Sequence, residues 1–307
     1  MSTPSQQVGI AVIGLSGYST DPVAYKQGIT RLQAMGHVIH DYTAPEKKHL
    51  RFADSDEGRL EQLQAAINNP EIHIIMALRG GYGLSRLLPR IDFSLLAASK
   101  KLFVGHSDFT ALHMGLLAQT GAVSFAGPMI CDDFSRADVS DFTHQHFWEC
   151  LHSKNITLQS VFKGNPSLDV QGTLWGGNLS MLLSLIGTPW MPAIEGGILF
   201  IEDVNEHPYR VERMLLQLAH AGILQKQKAV LLGDFSAYKL SDYDNGYNFD
   251  IMLNYMRQHV AVPLVQGLKF GHTLDKLTLP VGAKAHLQSN AQGFTLTASD
   301  YPHLAVV

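Results

Sequence analysis

The chain has 307 residues, of which 46% are hydrophobic and 16% are charged, so it is long enough to form about two compact domains. Its formal net charge of −4 offers no basic surface for a nucleic-acid backbone, and no apolar run approaches the length that spans a membrane. The first predicted strand begins near Val8, without a basic segment before it or a cleavage site after it, so we expect a cytoplasmic protein with neither nucleic acid nor membrane as a partner.

The first half of the chain alternates apolar strands with amphipathic helices. Strands are predicted at 8–14, 37–42 and 72–78, and helices are predicted from Asp21-Pro22 to Gly36 and over 56–67. The strand runs are apolar throughout instead of alternating with polar residues. This pattern favours a doubly wound parallel sheet covered by helices on both faces, and such sheets bind ligands at the carboxyl ends of their strands.

A glycine-rich loop, 79–83 (RGGYG), follows the third of these strands. Glycines permit positive φ and let backbone N–H groups approach a ligand, so the loop could form part of an oxyanion hole. A simple turn explains it equally well. The G-K-[ST] and G-x-G-x-x-G motifs of nucleotide-binding loops are both absent, which disfavours a nucleotide site.

A candidate nucleophile elbow comes next, where the strand 102–105 leads through a tight turn to Ser107 and a helix start. The match to G-x-S-x-G is incomplete because Phe109 stands at the second glycine. Ser107 could also simply cap the helix, with Asp108 favoured in the first turn.

The glycine, proline and polar residues of 163–167 mark a linker, which predicts domains at 1–163 and 168–307. Beyond it, residues 172–178 are predicted as a glycine turn into a helix over 179–186. Three antiparallel strand candidates near the C-terminus, at 277–280, 283–287 and 294–297, predict a mixed, barrel-like second domain.

Two adjacent carboxylates, Glu202 and Asp203, end another apolar run at 197–201. They could take part in catalysis, or they could cap the helix that Pro208 begins, with Arg210 as an ion-pair partner.

Ser107, Glu202 and His272 share one context, because each follows a short apolar run at a glycine or turn position. A serine nucleophile needs a base to accept its proton, and the base needs a carboxylate to hold its tautomer. The order Ser, Glu, His along the chain also occurs in other hydrolases, although order alone does not assign the roles.

The two cysteines, Cys131 and Cys150, have neither C-x-x-C spacing nor paired histidines nearby. This argues against a disulfide scaffold and against a zinc site, so we expect no metal.

The sequence resembles the LD-carboxypeptidases (murein tetrapeptide carboxypeptidases), a family of serine peptidases that also contains the microcin C immunity proteins. The resemblance covers nearly the whole chain and is carried by several blocks in the same order, at 79–83, 105–110, 172–179, 201–203 and 270–272. It implies a flavodoxin-like N-terminal domain, a swivelling-barrel C-terminal domain and a homodimer.

Carried over by position, the resemblance makes Ser107 the nucleophile, His272 the general base and Glu202 its orienting carboxylate. It also implies an oxyanion hole formed by the backbone N–H groups of Gly81 and Asp108. One departure is that many members end their first strand in A-P-S-G, where residues 14–17 read GLSG.

The implied reaction is hydrolysis of the bond between meso-diaminopimelate and the terminal D-alanine of murein tetrapeptides, free or linked to sugar or nucleotide, during peptidoglycan recycling. No cofactor is implied. Because the substrate is anionic and the protein is acidic overall, we expect local arginines to bind the terminal carboxylate. The candidate substrate contacts are Arg79, Tyr82, Arg86, Trp175 and Asn178.

Two alternatives remain open at the level of sequence. An immunity-type hydrolase would cleave a peptidyl-nucleotide antibiotic and would need an aromatic platform for the base, for which Trp175 and Trp190 are candidates. A catalytically silent muropeptide-binding sensor would have no need of all three residues of the Ser, Glu and His set.

Overall fold

The computed structural model describes residues 7–304, which form two β-sheets with helices packed around them. The strands are β1 Gly9–Ile13, β2 Val38–Asp41, β3 Ile74–Ala77, β4 Leu102–Gly105, β5 Ser124–Ala126, β6 Asn155–Val161, β7 Leu168–Asn178, β8 Ile198–Val204, β9 Ala229–Ser236, β10 Leu264–Gln266, β11 Leu279–Val281, β12 Lys284–Asn290 and β13 Gly293–Ser299. The α-helices are α1 Pro22–Ala34, α2 Asp56–Asn68, α3 Leu84–Leu87, α4 Phe93–Ala98, α5 Thr110–Thr120, α6 Asp141–His152, α7 Leu179–Leu185, α8 Pro208–His220 and α9 Phe249–His259. None of the helices in residues 7–304 is long and apolar enough to cross a membrane.

The first sheet has the order β2-β1-β3-β4-β5, all parallel, with β11 added antiparallel beside β5. This order is that of flavodoxin-like doubly wound sheets. The predicted fold class of the N-terminal half is therefore confirmed. The carboxyl ends of β3 and β4 lie side by side, so the glycine loop after β3 and Ser107 after β4 share one edge of the sheet.

The second sheet is mixed, as predicted. Strands β10, β9, β8 and β7 are parallel neighbours, and β7, β12, β13 and β6 follow in antiparallel order. Side chains join its two edges, because Ser160 donates to the carbonyl of Gly267 at 2.7 Å and Asn165 exchanges hydrogen bonds with Gln266. These links give the sheet its barrel-like form.

Helix boundaries follow the capping chemistry in the sequence. Asp21 accepts hydrogen bonds from the N–H groups of Val23 and Ala24 at the start of α1, and Ser140 accepts from Thr143 at the start of α6. Such caps satisfy N–H groups that have no partner within the helix. The short helices α3 and α4 were not predicted, because four and six residues carry too little periodicity to detect.

The prediction of a glycine turn at 172–178 is wrong, since these residues form the end of the eleven-residue strand β7. The glycines serve close packing instead. A Cβ at Gly177 would lie 2.5 Å from Oγ1 of Thr110, so glycine lets β7 press against the start of α5. The backbone N–H of Asn178 donates to that same hydroxyl at 3.0 Å, which joins the second sheet to the elbow helix.

The domain division at 163–168 stays a prediction. Sheet membership does not follow it, because β6 lies before the linker and pairs with β13 in the second sheet. Conversely, β11 lies after the linker and pairs with β5 in the first sheet. The two halves therefore exchange strands, and one continuous apolar core runs through both.

Candidate active site

Ser107 occupies a strained turn between β4 and α5. Its φ is +60°, which few residues other than glycine adopt and which is found disproportionately at functional sites. Helix α5 begins only at Thr110, and Ser107 makes no capping hydrogen bond to it. A Cβ at Gly105 would lie 2.7 Å from the ring of Phe109, so the glycine before Ser107 makes room for that ring. The elbow geometry is present, and helix capping is not the role of this serine.

Glu202 and His272 form a close pair at the carboxyl end of the second sheet. Glu202 is fully buried in β8, and its Oε2 lies 2.8 Å from Nδ1 of His272. Its other oxygen, Oε1, accepts a hydrogen bond from the side-chain amide of Asn178 at 3.2 Å. A buried carboxylate needs such partners. Gly271 lets the loop that carries His272 come close to Glu202, because a Cβ at this position would lie 3.3 Å from Oε2 of Glu202.

The surroundings of His272 favour its protonated form. Burial, the largest influence, lowers its pKa, but the hydrogen bond and the negative charge of Glu202 together outweigh burial and raise the pKa above its ordinary value of 6.5. The side chain is 19% exposed, so the ring edge remains open to a ligand. A base with a raised pKa is well matched to accept a proton near neutral pH.

His272 reaches the elbow through its neighbour His106. The two rings meet edge to face with centroids 5.2 Å apart. Within residues 7–304 the Ser107 hydroxyl makes no hydrogen bond, to His272 or to any other group. In hydrolases without substrate, hydrogen bonds between nucleophile and base are often long or poorly aligned.

Asp203 points away from His272 and holds the start of α7. Its Oδ2 accepts hydrogen bonds from the backbone N–H and the hydroxyl of Ser180, at 2.9 Å and 2.7 Å. The interpretation that this acid caps the Pro208 helix is wrong, because His207 caps that helix and Arg210 pairs with Glu206. Strands β7 and β8 are parallel neighbours with Asn178 opposite Glu202, so the start of α7 lies beside Asp203.

The glycine loop after β3 lies against Ser107. A Cβ at Gly80 would lie 2.7 Å from Cβ and 2.8 Å from Oγ of Ser107. The carbonyl of Gly80 accepts a hydrogen bond from the N–H of Gly17, and in a trans peptide the N–H of Gly81 points the opposite way. That N–H donates to no acceptor within the described residues, so it is free to bind a ligand.

Asp108 anchors the elbow through its side chain. Its Oδ2 accepts hydrogen bonds from the hydroxyl of Ser16 at 2.5 Å and from the N–H of Leu84 at 3.0 Å. Burial raises the pKa of this carboxyl above its ordinary value. Ser16 was not singled out from the sequence, although it belongs to the GLSG segment that departs from the family pattern. Its place in the structure is to tie β1 to the elbow.

The predicted substrate contacts fall into different environments. Arg79 and Tyr82 line a pocket of about 190 Å³ next to Gly81, together with Arg51, which sequence reasoning missed. Arg86 is instead paired with Asp56 at 2.9 Å. The sequence offered no signal for Arg51, because it lies in an irregular segment far from any motif.

Two of the predicted contacts need correction. Trp175 is only 1% exposed and donates to Gln227 at 2.9 Å, so its ring packs in the core and offers no platform. Asn178 is buried and bridges Glu202 and Asp203, which makes it a positioning residue instead of a substrate contact. Both residues lie in the buried last part of β7, which the sequence predicts as a glycine turn.

A buried charged cluster lies behind His272. Lys276 Nζ is 2.7 Å from Oδ1 of Asp133 and 3.4 Å from Nε2 of His106. Burial, with the nearby Lys276 charge, lowers the pKa of His106 well below its ordinary value, so this ring stays neutral. Within residues 7–304 no group of three or more His, Cys, Asp or Glu side chains is arranged to hold a metal ion.

Comparison with known proteins gives a consistent result. Residues 10–127 match the LD-carboxypeptidase N-terminal domain and residues 171–287 match the LD-carboxypeptidase C-terminal domain. The chain is 31% identical over 272 residues to the probable murein peptide carboxypeptidase of Bacillus subtilis, with 88% of this chain and 85% of the relative covered. It is 26% identical over 306 residues to the microcin C7 self-immunity protein of Escherichia coli, with 88% and 87% covered.

Among solved structures, the muramoyltetrapeptide carboxypeptidase from Oxalobacter formigenes superposes with a TM-score of 0.92 at 54% identity. The alignment covers 96% of this chain and 100% of that structure. The similarity therefore extends over both sheets.

Proposed function

This chain belongs to the LD-carboxypeptidase family, and we propose that it is a serine LD-carboxypeptidase that releases the terminal D-alanine from murein tetrapeptides. The observation that carries the proposal is the buried Glu202–His272 pair, which the second sheet presents beside the strained Ser107 of the first. A serine peptidase requires a nucleophile, a base and an orienting carboxylate, and these three residues have the side chains for those roles.

In the proposed reaction the Ser107 hydroxyl attacks the scissile carbonyl between meso-diaminopimelate and D-alanine, and Nε2 of His272 takes its proton. Glu202 holds the Nδ1–H of His272 and stabilises the cation that forms. The N–H groups of Gly81 and Asp108 donate hydrogen bonds to the negatively charged tetrahedral oxygen. His272 then returns the proton to the amine of D-alanine, which leaves, and water hydrolyses the resulting ester on Ser107 by the same route.

Several wider features belong to the same proposal. The substrate is the tetrapeptide, free or linked to sugar or nucleotide, and the setting is the recycling of cell-wall fragments in the cytoplasm. We propose that the protein acts as a homodimer without a cofactor. We also propose that the nucleophile belongs to a domain at 1–163 and the Glu and His to a domain at 168–307.

The alternative of an immunity-type hydrolase receives less support. It needs an aromatic platform for a nucleobase, and Trp175 is buried in the core while Trp190 packs against it. A silent muropeptide sensor is disfavoured because a binding protein gains nothing from burying Glu202 against His272, which costs desolvation energy.

The deciding experiment incubates the pure protein with a murein tetrapeptide and, separately, with a peptidyl adenylate. We expect release of D-alanine from the first, and a loss of about 10⁶ in kcat for Ser107→Ala with unchanged thermal stability. Hydrolysis of the adenylate alone would favour the immunity function, and binding without turnover of either would favour the sensor.

Chelation provides a further arm of the same experiment. Activity should survive prolonged EDTA treatment, since the proposed mechanism uses only protein groups. Loss of activity that zinc restores would replace the serine mechanism by metal-assisted hydrolysis.

A further inference from the structure

A small pocket adjoins the glycine loop that follows β3. It has a volume of about 190 Å³ and is lined by Gly17, Arg51, Arg79, Gly81 and Tyr82, among others. Pockets for drug-sized ligands are usually about 300–1,000 Å³, so this one suits a single small residue better than a nucleoside. Gly81 is one of its lining residues, so the pocket shares a wall with the proposed oxyanion hole.

The arginines of this pocket have no acidic partners. Within residues 7–304 neither Arg51 nor Arg79 forms an ion pair with a carboxylate, although the chain as a whole carries a net charge of −4. Arg79 donates one hydrogen bond, from Nη1 to the carbonyl of Tyr18 at 3.1 Å, which fixes the side chain and leaves its other N–H groups available. The Arg51 guanidinium lies over the ring of Tyr82, 5.7 Å from its centroid.

The neighbouring arginines differ in this respect. Arg59 and Arg86 both pair with Asp56, and Arg90 pairs with Glu57. Asp56 and Glu57 are therefore already paired with other arginines. The positive charges of Arg51 and Arg79 remain at the pocket. Two unpaired guanidinium groups at one concave site form a receptor for an anion, and their planar donors match a carboxylate.

We propose that Arg51 and Arg79 bind the terminal carboxylate of the peptide and thereby restrict hydrolysis to the last residue. This inference rests on the proposed carboxypeptidase function and deepens it. The terminal carboxylate lies one residue beyond the scissile carbonyl, and consecutive Cα atoms are only about 3.8 Å apart, so its receptor must adjoin the oxyanion hole. Gly81 supplies that link, because it lines the pocket and its N–H is the proposed oxyanion donor.

The test compares the tetrapeptide that ends in free D-alanine with the same peptide carrying a C-terminal carboxamide. In the wild-type protein, kcat/KM for the acid should exceed that for the amide by about 10- to 100-fold. Arg51→Gln and Arg79→Gln should each lower kcat/KM for the acid by most of that factor while leaving the amide unchanged. The ratio within one variant is unaffected by partial unfolding, because both peptides meet the same folded fraction.

Arg90→Gln is the matched control, since it removes a guanidinium whose partner is Glu57 outside the pocket, and it should keep the wild-type ratio. Equal hydrolysis of acid and amide by the wild-type protein would overturn the inference while the proposed function stands. Hydrolysis of neither peptide would remove both. If the two arginine variants impaired only a peptidyl adenylate, the pocket would serve a phosphate, and the assignment to the terminal carboxylate would be wrong.

Discussion

Adjacent carboxylates in one strand carry out different tasks in this protein. Glu202 and Asp203 follow each other near the end of β8, where the pairing with β9 shifts register between Ile201 and Asp203. Glu202 turns towards His272, and Asp203 turns towards Ser180 at the start of α7. The side-chain amide of Asn178 lies between them and donates to both, at 3.2 Å and 3.1 Å. We therefore assign a catalytic role to Glu202 and a stabilising role to Asp203, its neighbour along the backbone, as a proposal.

Replacing these acids one at a time tests that separation. Glu202→Gln should lower kcat by about 10⁴, because the amide favours the wrong tautomer of His272. Asp203→Asn should leave kcat nearly unchanged and cost about 1–2 kcal/mol of stability, since it weakens the hydrogen bonds to Ser180. Measuring kcat and the thermal midpoint of both variants decides the matter. A normal kcat in the Glu202 variant with collapse in the Asp203 variant would assign the carboxylates the other way round.

The pH profile gives an independent prediction for the same pair. His272 must be neutral to accept a proton, and its pKa is raised above 6.5, so the acid limb of kcat/KM should lie above pH 6.5 in the wild-type protein. In Glu202→Gln, burial and the charge of Lys276 still lower the pKa of His272, and the smaller influence of the Asp203 charge still raises it. The acid limb of the residual activity should therefore move to lower pH. An unchanged limb would mean that a group other than His272 controls it.

At the scale of secondary-structure elements, the sequence predicts long segments well and close contacts poorly. Helices α1 and α6 begin where Asp21 and Ser140 provide caps, and the apolar runs become the strands of the first sheet. The prediction for the end of β7 is wrong because glycines usually mark turns. Here Gly177 instead allows close contact with the start of α5, which is distant in sequence. The same limit applies to the site. Motifs single out Ser107, Glu202 and His272, whereas only tertiary packing brings Arg51 to the pocket beside Gly81 and Lys276 next to His106.

The contact between the glycine loop and the elbow can be tested at Gly80. Its φ lies outside the left-handed region, so alanine is acceptable to the backbone there, and the main obstacle is the side chain of Ser107 only 2.7 Å away. Gly80→Ala should displace Ser107 and reduce kcat by about 100-fold or more, since small misplacements of a nucleophile have effects of that size. The measurement is kcat alongside the thermal midpoint.

Gly222→Ala is the control for this substitution. Gly222 has a φ of +73° and open space around it, so alanine there should cost stability through backbone strain and leave kcat unchanged. Wild-type turnover in Gly80→Ala would show that the glycine loop adjusts to the added methyl group and does not position Ser107.

For the molecule as a whole, the proposed mechanism depends on how the two halves of the chain are joined. Ser107 follows β4 of the first sheet, Glu202 lies in β8 of the second sheet, and His272 lies in the loop from β10 of the second sheet to β11 of the first. The buried Lys276–Asp133 pair crosses this junction close to His106. Burial raises the pKa of Asp133 even though the charge of Lys276 lowers it, so desolvation outweighs the attraction. We infer that the pair specifies how the halves fit more than it adds to stability.

A double-mutant cycle separates these two contributions. Lys276→Met leaves the Asp133 carboxylate buried without its cation and should cost about 3–5 kcal/mol. Adding Asp133→Asn removes the uncompensated charge while keeping an oxygen to accept from the N–H of Met129, so the double variant should recover most of that loss. Urea unfolding of the wild type, both single variants and the double variant measures the coupling. A double variant no more stable than Lys276→Met would mean that the ion pair itself, and not relief of a buried charge, holds the two halves together.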